Sequence, residues 1–212
     1  MFIPIHDLIR QFSIQITGIL HVGAHLCEEK EAYNNAGVND KNIYWIDAMY
    51  ENTSKCIEKY GDDFNMITAT IDEKSGEEVV FHITDNGQSS SLLPFGTHTQ
   101  LYPGTYVVSD RTVQTVRLDD LIDSHCIPMS TINFINLDIQ GVELRALKSL
   151  GSYIYGINYI YTEVNNQEVY KGCDQITDID EYLKHSGFIR VATQFCRDEG
   201  WGDAFYIRHS CM

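Results

Sequence analysis

Two acidic residues, Asp138 and Glu163, each follow a short apolar run. Asp138 ends the run INFINLD, and Glu163 ends the run INYIYTE. If both runs are neighbouring parallel strands, the two carboxylates meet at the same edge of the sheet. Such a pair can act as a general base and its orienting partner, or can bind a hard divalent cation such as Mg²⁺. The simpler alternative for Glu163 is a helix cap or a hydrogen bond to a neighbouring lid loop.

A second group of residues has the types and spacing of a nucleoside site. The segment HVGAH (residues 21–25) places Gly23 directly after an apolar run, where backbone can approach a ligand closely. Asp47 ends the run IYWID, 24 residues after Gly23, where an acid can accept hydrogen bonds from both ribose hydroxyls. The segment lacks the G-x-G-x-x-G pattern of dinucleotide sites. A tight turn that needs a glycine and a helix cap by Asp47 are the structural alternatives.

Three further residues near these segments carry less specific chemistry. His25 lies past the glycine turn and is an alternative general base, whereas we expect His21 to be a buried core histidine. Glu143 lies in the first turn of a helical segment, where a negative charge interacts favourably with the helix dipole. A structural role therefore explains Glu143 at least as well as a ligand role does.

The elements that must position these residues alternate between strands and helices. The strand-like runs are 18–22, 43–47, 64–71, 132–138 and 157–163, and the helix-like segments between and after them are 27–36, 50–60, 142–150 and 174–186. This alternation predicts an α/β fold with a largely parallel sheet and helices on both faces. Two closely spaced runs, 188–194 and 204–208, predict an antiparallel hairpin at one sheet edge.

The length of 212 residues fits one domain, 1–212. We predict an N-terminal helix over residues 1–17. Two β-like runs, 78–83 and 112–117, enclose a long polar segment, and long loops in compact domains are often functional lids. We therefore predict a lid loop over residues 84–110.

Charge and cysteine content limit the partners of this chain. The formal net charge of −15 disfavours nucleic acid and anionic membrane surfaces, and favours a small-molecule or glycan substrate. No apolar run is long enough to span a membrane. The six cysteines have long, irregular spacings, which favours reduced thiols and a cytoplasmic location, or the host cytoplasm if the protein is viral. The oligomeric state is not predicted.

Several of these segments together resemble the FkbM-type methyltransferases. The resemblance runs from about Gly18 to Ile207 through the segments ILHVGAH, WIDA, ATIDEKSG, SSSLL, INFINLDIQGVELRALKSL, TEV, SGF and DAFYI. LDIQGVELRALK is the most specific of them. The family usually has a second glycine where this chain has Cys27, which puts the geometry of the glycine turn in question.

The resemblance implies a Rossmann-like class I methyltransferase fold, with a mostly parallel seven-stranded sheet and one antiparallel edge strand. It also implies S-adenosylmethionine as methyl donor and hydroxyl groups, often on sugars, as acceptors. The residues that it implies for cofactor binding are Gly23, Ala24 and His25 at the methionine portion, Asp47 and Ala48 at the ribose, Ile71 and Asp72 at the adenine, and Ser90, Asp138 and Gln140 near the acceptor.

We therefore predict an S-adenosylmethionine-dependent O-methyltransferase that acts on a hydroxyl group of a sugar or glycan. Asp138 and Glu163 are the central catalytic pair, with His25 as the alternative base, and the same two acids are the metal ligands if a divalent ion takes part. Two other functions remain open at this point: a non-catalytic nucleotide- or sugar-binding module on the same fold, and a nicotinamide-dependent oxidoreductase.

Overall fold

The computed structural model describes residues 1–197 and 199–212, and its central element is a seven-stranded sheet. Its strands are β1 (Ile19–Val22), β2 (Ile43–Asp47), β3 (Met66–Thr68), β7 (Phe134–Leu137), β8 (Tyr159–Asn165), β9 (Phe188–Phe195) and β10 (Trp201–Arg208). They lie in the order β3-β2-β1-β7-β8-β10-β9. The first five are parallel to one another, and β10 runs antiparallel to both β8 and β9. This confirms the predicted α/β fold and the antiparallel hairpin at one edge.

The sheet is buried on both faces, which explains the unbroken apolar runs of its strands. Successive side chains of a strand point to opposite faces. Leu20 of β1 and Ile135 of β7 accordingly belong to one buried cluster, and their neighbours Ile19 and Phe134 belong to another. The sheet therefore separates two hydrophobic cores.

Helices cover both cores. They are α1 (Ile5–Phe12), α2 (Lys30–Asn35), α3 (Tyr50–Tyr60), α4 (His98–Leu101), α5 (Leu118–Ser124), α6 (Glu143–Ser149) and α7 (Ile176–His185). Helices α1, α2 and α3 pack on the face that includes Ile19, whereas α5, α6 and α7 pack on the face that includes Leu20. None of the helices in the described ranges is both long and apolar enough to cross a bilayer.

A second, three-stranded sheet corrects one predicted strand. The run 64–71 is not continuous: β3 belongs to the large sheet, and β4 (Thr70–Ile71) pairs with β6 (Val107–Val116), which also pairs with β5 (Glu78–Thr84). The break follows Ala69, whose N–H makes the last hydrogen bond of the β2–β3 pair, to the Asp47 carbonyl oxygen (2.9 Å). The pairing between β2 and β3 therefore ends at Asp47, the last residue of β2.

Two predicted segments have different bounds in the structure. The N-terminal helix is α1, which is shorter than the predicted 1–17 and ends where Ser13 adopts a left-handed conformation (φ 52°). The predicted lid loop 84–110 overlaps the strands at both ends, so the connection between β5 and β6 is 85–106 and contains α4. Its function as a lid stays a prediction.

Candidate active site

A cavity of about 420 Å³ lies at the carboxyl ends of the parallel strands. Its wall includes these residues proposed from the sequence: Gly23, Ala24, His25, Asp47, Ala48, Ser90, Asp138, Gln140 and Glu163. A smaller recess of about 30 Å³ shares part of this wall and contains Ile71. The position and volume of the cavity are those of a small-ligand site in an open α/β sheet.

The glycine turn after β1 is held tightly between the two neighbouring strands. Gly23 has φ 88°, and its N–H donates to the Ile46 carbonyl oxygen of β2 (2.8 Å). A Cβ atom at this position would lie 1.7 Å from the Asp138 carbonyl oxygen, which follows β7. Only a residue without a side chain permits this approach, so Gly23 brings backbone, rather than a side chain, to the floor of the cavity.

Cys27 keeps the backbone conformation that a glycine would have at its position. Its φ is 58°, in the left-handed region, and its N–H donates to the Ala24 carbonyl oxygen (2.7 Å). The Cys27 thiol is buried 3.6 Å from the Cys56 sulfur. The departure from the family pattern therefore leaves the turn geometry intact, at the cost of a strained non-glycine residue.

Asp47 organises the polypeptide around the cavity. Its Oδ2 accepts a hydrogen bond from the His25 N–H (2.8 Å), and its Oδ1 accepts from the Met49 N–H (2.8 Å). Met49 directly precedes α3, so the Asp47 side chain holds the backbone at the entry to this helix from its position on the cavity wall. Burial raises the pKa of Asp47, and its backbone hydrogen bonds oppose that rise. Because a carboxylate oxygen can accept more than one hydrogen bond, ribose binding by Asp47 stays a prediction compatible with this geometry.

Gln140 joins the two strand-end acids. The amide Nε2 of Gln140 donates to Asp138 Oδ1 (2.6 Å) and to Glu163 Oε2 (2.9 Å), and the Tyr170 hydroxyl donates to Gln140 Oε1 (2.5 Å). Gln140 adopts a left-handed conformation (φ 58°). The structure thus brings Asp138 and Glu163 to one place, through an amide that bridges them.

The environment of these two acids favours their protonated forms. Glu163 is 4% exposed, and burial together with the nearby charges of Asp138 and Glu143 raises its pKa well above its usual value. The Asp138 side chain is exposed on the wall of the open cavity, where the surrounding protein displaces part of its water. Burial and the Asp203 carboxylate raise its pKa to about 6. A carboxylate with such a pKa is a stronger base than one in water, which suits proton abstraction.

Asp138 and Glu163 do not fit a metal site in this arrangement. The Gln140 amide nitrogen donates to both carboxylates, and an N–H donor at that position repels a cation. Within the described ranges, no group of three or more His, Cys, Asp or Glu residues is placed to bind a metal. We derive no step through a metal ion.

The two histidines of the glycine turn differ in environment. His25 Nδ1 lies 2.6 Å from Glu28 Oε1, and this hydrogen bond raises the His25 pKa, so its basic form is less populated near neutral pH. His21 is buried beside the Tyr33 hydroxyl (3.1 Å), and burial lowers its pKa to about 4. This agrees with the interpretation of His21 as a core histidine and makes Asp138 a better candidate base than His25.

Glu143 is fully buried and shapes the loop that carries Gln140. Its carboxylate accepts from the N–H groups of Ile139 (3.0 Å) and Gly141 (3.1 Å). Glu143 therefore has a structural role, but it is to hold the loop before α6. The predicted helix-dipole role needs a negative charge, and burial disfavours that charge by raising the pKa of Glu143 to about 8.

Two residues proposed for the adenine differ in location. Ile71 lies in the small recess beside Gly23 and Asp47. Asp72 lines neither cavity, and its carboxylate lies 3.7 Å from the Arg145 guanidinium. A direct contact between Asp72 and a ligand in these cavities would require a rearrangement.

Several cavity residues were not identified from the sequence. They are Phe2, His98, Tyr102, Tyr170, Trp201 and Asp203. Asp203 pairs in register with Glu163 across β10 and β8, and accepts a hydrogen bond from the Tyr161 hydroxyl. An acid inside the apolar run DAFYI was the available signal for Asp203. The aromatic residues carry no comparable signal.

We expect Glu163→Gln to raise the stability of the protein at alkaline pH. The folded-state pKa of Glu163 is raised, so the folded state binds the proton more tightly than the unfolded state, and stability falls as pH rises above about 4.5. An amide removes this loss, and its oxygen can still accept from Gln140. The free energy of unfolding at about pH 8 should rise by about 1–3 kcal/mol.

Urea unfolding at about pH 8 and about pH 4 measures this effect, with the exposed Glu181→Gln as control. The gain should appear only at the higher pH. A destabilised Glu163→Gln protein at both pH values would show that the ionised carboxylate is instead favourable in the folded protein.

Comparison with known proteins identifies the family. Residues 18–190 match the family described as Methyltransferase FkbM domain. Hexuronic acid methyltransferase AglP from Haloferax volcanii is 25% identical to this chain over 141 residues, which are 65% of this chain and 55% of AglP. The match thus spans little more than half the length of this relative.

Solved structures share the fold at low sequence identity. Magnesium protoporphyrin IX methyltransferase (ChlM) from Synechocystis PCC 6803, with bound S-adenosylmethionine, has a TM-score of 0.53 at 11% identity, over 96% of this chain and 76% of that chain. The FkbM methyltransferase from Methylobacillus flagellatus KT has a TM-score of 0.53 at 12% identity, over 90% and 43%. The family match over most of the chain confirms the resemblance drawn from its motifs: this protein belongs to the FkbM family of methyltransferases.

Proposed function

We propose that this S-adenosylmethionine-dependent methyltransferase transfers its methyl group to a hydroxyl of a sugar or glycan. The observation that carries the proposal is the position of Asp138, a carboxylate of raised pKa that faces the cavity beside a second buried acid. A neutral hydroxyl is a poor nucleophile and needs a base, whereas an amine acceptor needs only to be deprotonated before it binds. A base at this point therefore favours an O-methyltransferase.

The residues of the cavity fit S-adenosylmethionine. The cofactor supplies a methyl group that is already activated by its sulfonium centre. Gly23 and Ala24 present backbone at the floor of the cavity, and Asp47 lies beside the recess that contains Ile71. In our proposal Asp47 and Ala48 bind the ribose, and Ile71 borders the adenine. His25 lies along the methionine portion, and Ser90 lies near the acceptor.

The base in this proposal is Asp138. Its carboxylate accepts the proton of the acceptor hydroxyl while the hydroxyl oxygen forms its new bond to the methyl carbon and the carbon–sulfur bond breaks. Gln140 holds Oδ1 of Asp138 in place through its 2.6 Å hydrogen bond, which leaves Oδ2 to accept the proton. Glu163 keeps Gln140 oriented from the other side. Alignment of hydroxyl, base and methyl group is the main contribution of the protein.

The aromatic wall supports a sugar as acceptor. Tyr102, Tyr170 and Trp201 line the cavity, and the Trp201 Nε1–H donates to the Tyr102 hydroxyl (2.9 Å). Aromatic rings with polar edges can stack against the apolar face of a sugar while they hydrogen-bond its hydroxyls. The relative AglP is named for a sugar substrate, which adds support.

We expect kcat/KM to fall as pH falls through about 6. Asp138 acts as a base only when ionised, and its pKa in the folded protein is about 6. Below that value the rate should fall about tenfold for each pH unit. Initial rates between about pH 5 and pH 8 measure this, with circular dichroism at each pH to verify folding. A rate constant independent of pH over this range would remove Asp138 from the role of base.

Transfer of an isotope-labelled methyl group tests the proposed reaction. The purified protein is incubated with labelled S-adenosylmethionine and, separately, with methyl hexosides, oligosaccharides and amines. We expect methyl ethers of sugar hydroxyls as products. Transfer to amines alone, or no transfer to any sugar, would contradict the proposed acceptor.

The proposal also covers the binding partners of the protein and its location in the cell. The net charge of −15 supports an acceptor other than nucleic acid, and no docking to an anionic membrane. All six cysteines are free thiols, which supports a cytoplasmic location, or the host cytoplasm if the protein is viral.

A further inference from the structure

Acidic side chains predominate among the charged residues that line the cavity. Six acidic side chains contribute to its wall: Glu28, Glu29, Asp47, Asp138, Glu163 and Asp203. Among the described residues of that wall, no lysine or arginine accompanies them. The Met1 ammonium and His25 also line the cavity, but they are paired with Glu29 (3.5 Å) and Glu28 (2.6 Å). The described part of the cavity therefore has an acidic lining without a lysine, an arginine or an unpaired ammonium to receive an anion.

Three of the basic side chains form ion pairs away from the cavity. Arg117 forms an ion pair with Asp119 (2.7 Å), Arg190 with Asp180 (3.0 Å) and Lys30 with Asp40 (2.8 Å). None of these pairs lines the cavity.

Uncharged polar groups supply the remaining hydrogen-bonding capacity of the wall. Asn86, Gln88 and Ser89, in the connection between β5 and β6, all line the cavity. Amides and hydroxyls both donate and accept, so they match the hydroxyl groups of a sugar without favouring a negative charge. Together with the aromatic wall, they form a surface suited to a neutral carbohydrate.

We infer that the acceptor is a sugar without carboxylate, phosphate or sulfate groups, and that the acidic cavity wall selects against anionic sugars. This inference rests on the proposed function, since it specifies the substrate class of the same site. Beyond the carboxylate that the cofactor itself carries, an anionic acceptor placed here would lose its water and meet like charges. The two cationic groups nearest to it, the Met1 ammonium and His25, are already paired with Glu29 and Glu28. The expected acceptor thus differs in charge from the hexuronic acid for which AglP is named.

Matched sugars test the inference. Methyl hexopyranosides are compared with the corresponding methyl hexuronides and with the methyl esters of those hexuronides, which restore neutrality at the same carbon. We expect kcat/KM for the neutral hexoside to exceed that for the hexuronide by about tenfold or more. The ester should recover most of the lost activity, because charge rather than shape causes the loss.

A charge reversal in the cavity wall should change this selectivity. Glu29 lines the cavity, whereas Glu31, two residues further on, is exposed to solvent and does not. Glu29→Lys should lower the hexoside-to-hexuronide ratio by about tenfold, and Glu31→Lys, which changes the net charge equally, should leave it unchanged. Calorimetric titration with S-adenosylhomocysteine verifies that both variants fold and bind the cofactor product.

The outcomes separate this inference from the function on which it rests. Hexuronides methylated as fast as hexosides, or a ratio that Glu29→Lys does not change, would overturn the inference and leave sugar methylation intact. Absence of methyl transfer to every sugar, charged or neutral, would overturn the proposed function and this inference with it.

Discussion

Replacement of Asp138 by asparagine should abolish most of the methyl transfer while the cofactor remains bound. Asparagine keeps the shape of the side chain and an oxygen that can accept from Gln140 Nε2, so the bridge to Glu163 can persist. It cannot accept the hydroxyl proton. Loss of a general base typically lowers kcat by about 100- to 10,000-fold. Initial rates under saturating cofactor measure this loss.

Two measurements show whether a lost rate reflects the missing base or a damaged fold: the affinity for S-adenosylhomocysteine and the rate of a matched variant. The dissociation constant for S-adenosylhomocysteine should change by less than about threefold in Asp138→Asn, because the lost interaction acts on the acceptor. Asp63→Asn, which changes an exposed aspartate, should retain the parent rate. Unchanged turnover in Asp138→Asn would reject Asp138 as the base and would return attention to His25.

Gly23→Ala should damage both the fold and the cofactor site. The new Cβ would lie 1.7 Å from the Asp138 carbonyl oxygen, and φ 88° is strained for any residue with a side chain. Because the obstacle is backbone, the loop after β7 must move and carry Asp138 and Gln140 with it. We expect a loss of about 3–5 kcal/mol in the free energy of unfolding, and a loss of more than about 100-fold in S-adenosylhomocysteine affinity.

Gly37→Ala is the control for backbone strain alone. Gly37 has a similar φ of 86°, but a Cβ there would have no neighbour within 4 Å. This variant should lose only about 1–2 kcal/mol and should bind S-adenosylhomocysteine normally. Aggregation of Gly23→Ala beside a soluble Gly37→Ala would support the close approach. Equal stability of the two variants would contradict it.

The strand-end acids were predictable because parallel strands impose a simple rule. Apolar runs that alternate with helices form a parallel sheet, and the residues that end those runs meet at one edge. Asp47, Asp138 and Glu163 all follow this rule and all line the cavity. The bridge through Gln140 was not predictable, because it depends on a left-handed backbone and on the rotamer of one long side chain.

Asp203 could not be predicted by this rule, because its strand runs antiparallel to its neighbour β8. β10 is antiparallel to β8, so the start of β10, rather than its end, lies beside the end of β8. A search for acids that end strands therefore overlooks an acid near the start of the last strand. His98 and Tyr102 escape for another reason: they belong to a connection of 22 residues, 85–106, whose path over the cavity depends on tertiary contacts.

The strand predicted over residues 64–71 shows where local pattern fails. Most of its residues have strand propensity, but the chain leaves one sheet at Ala69 and enters another at β4. Which partner a strand finds is decided by packing rather than by propensity. The same break places Ile71 in the small recess and leaves Asp72 outside it, facing Arg145.

Titration calorimetry with S-adenosylhomocysteine tests the central claim most directly: that this cavity binds the methyl donor of an FkbM-family enzyme. A nicotinamide dinucleotide serves as the control ligand. We predict binding of S-adenosylhomocysteine with a dissociation constant of about 1–100 μM and no heat from the dinucleotide. Folded protein that gives no heat with S-adenosylhomocysteine, or that binds the dinucleotide instead, would contradict the account.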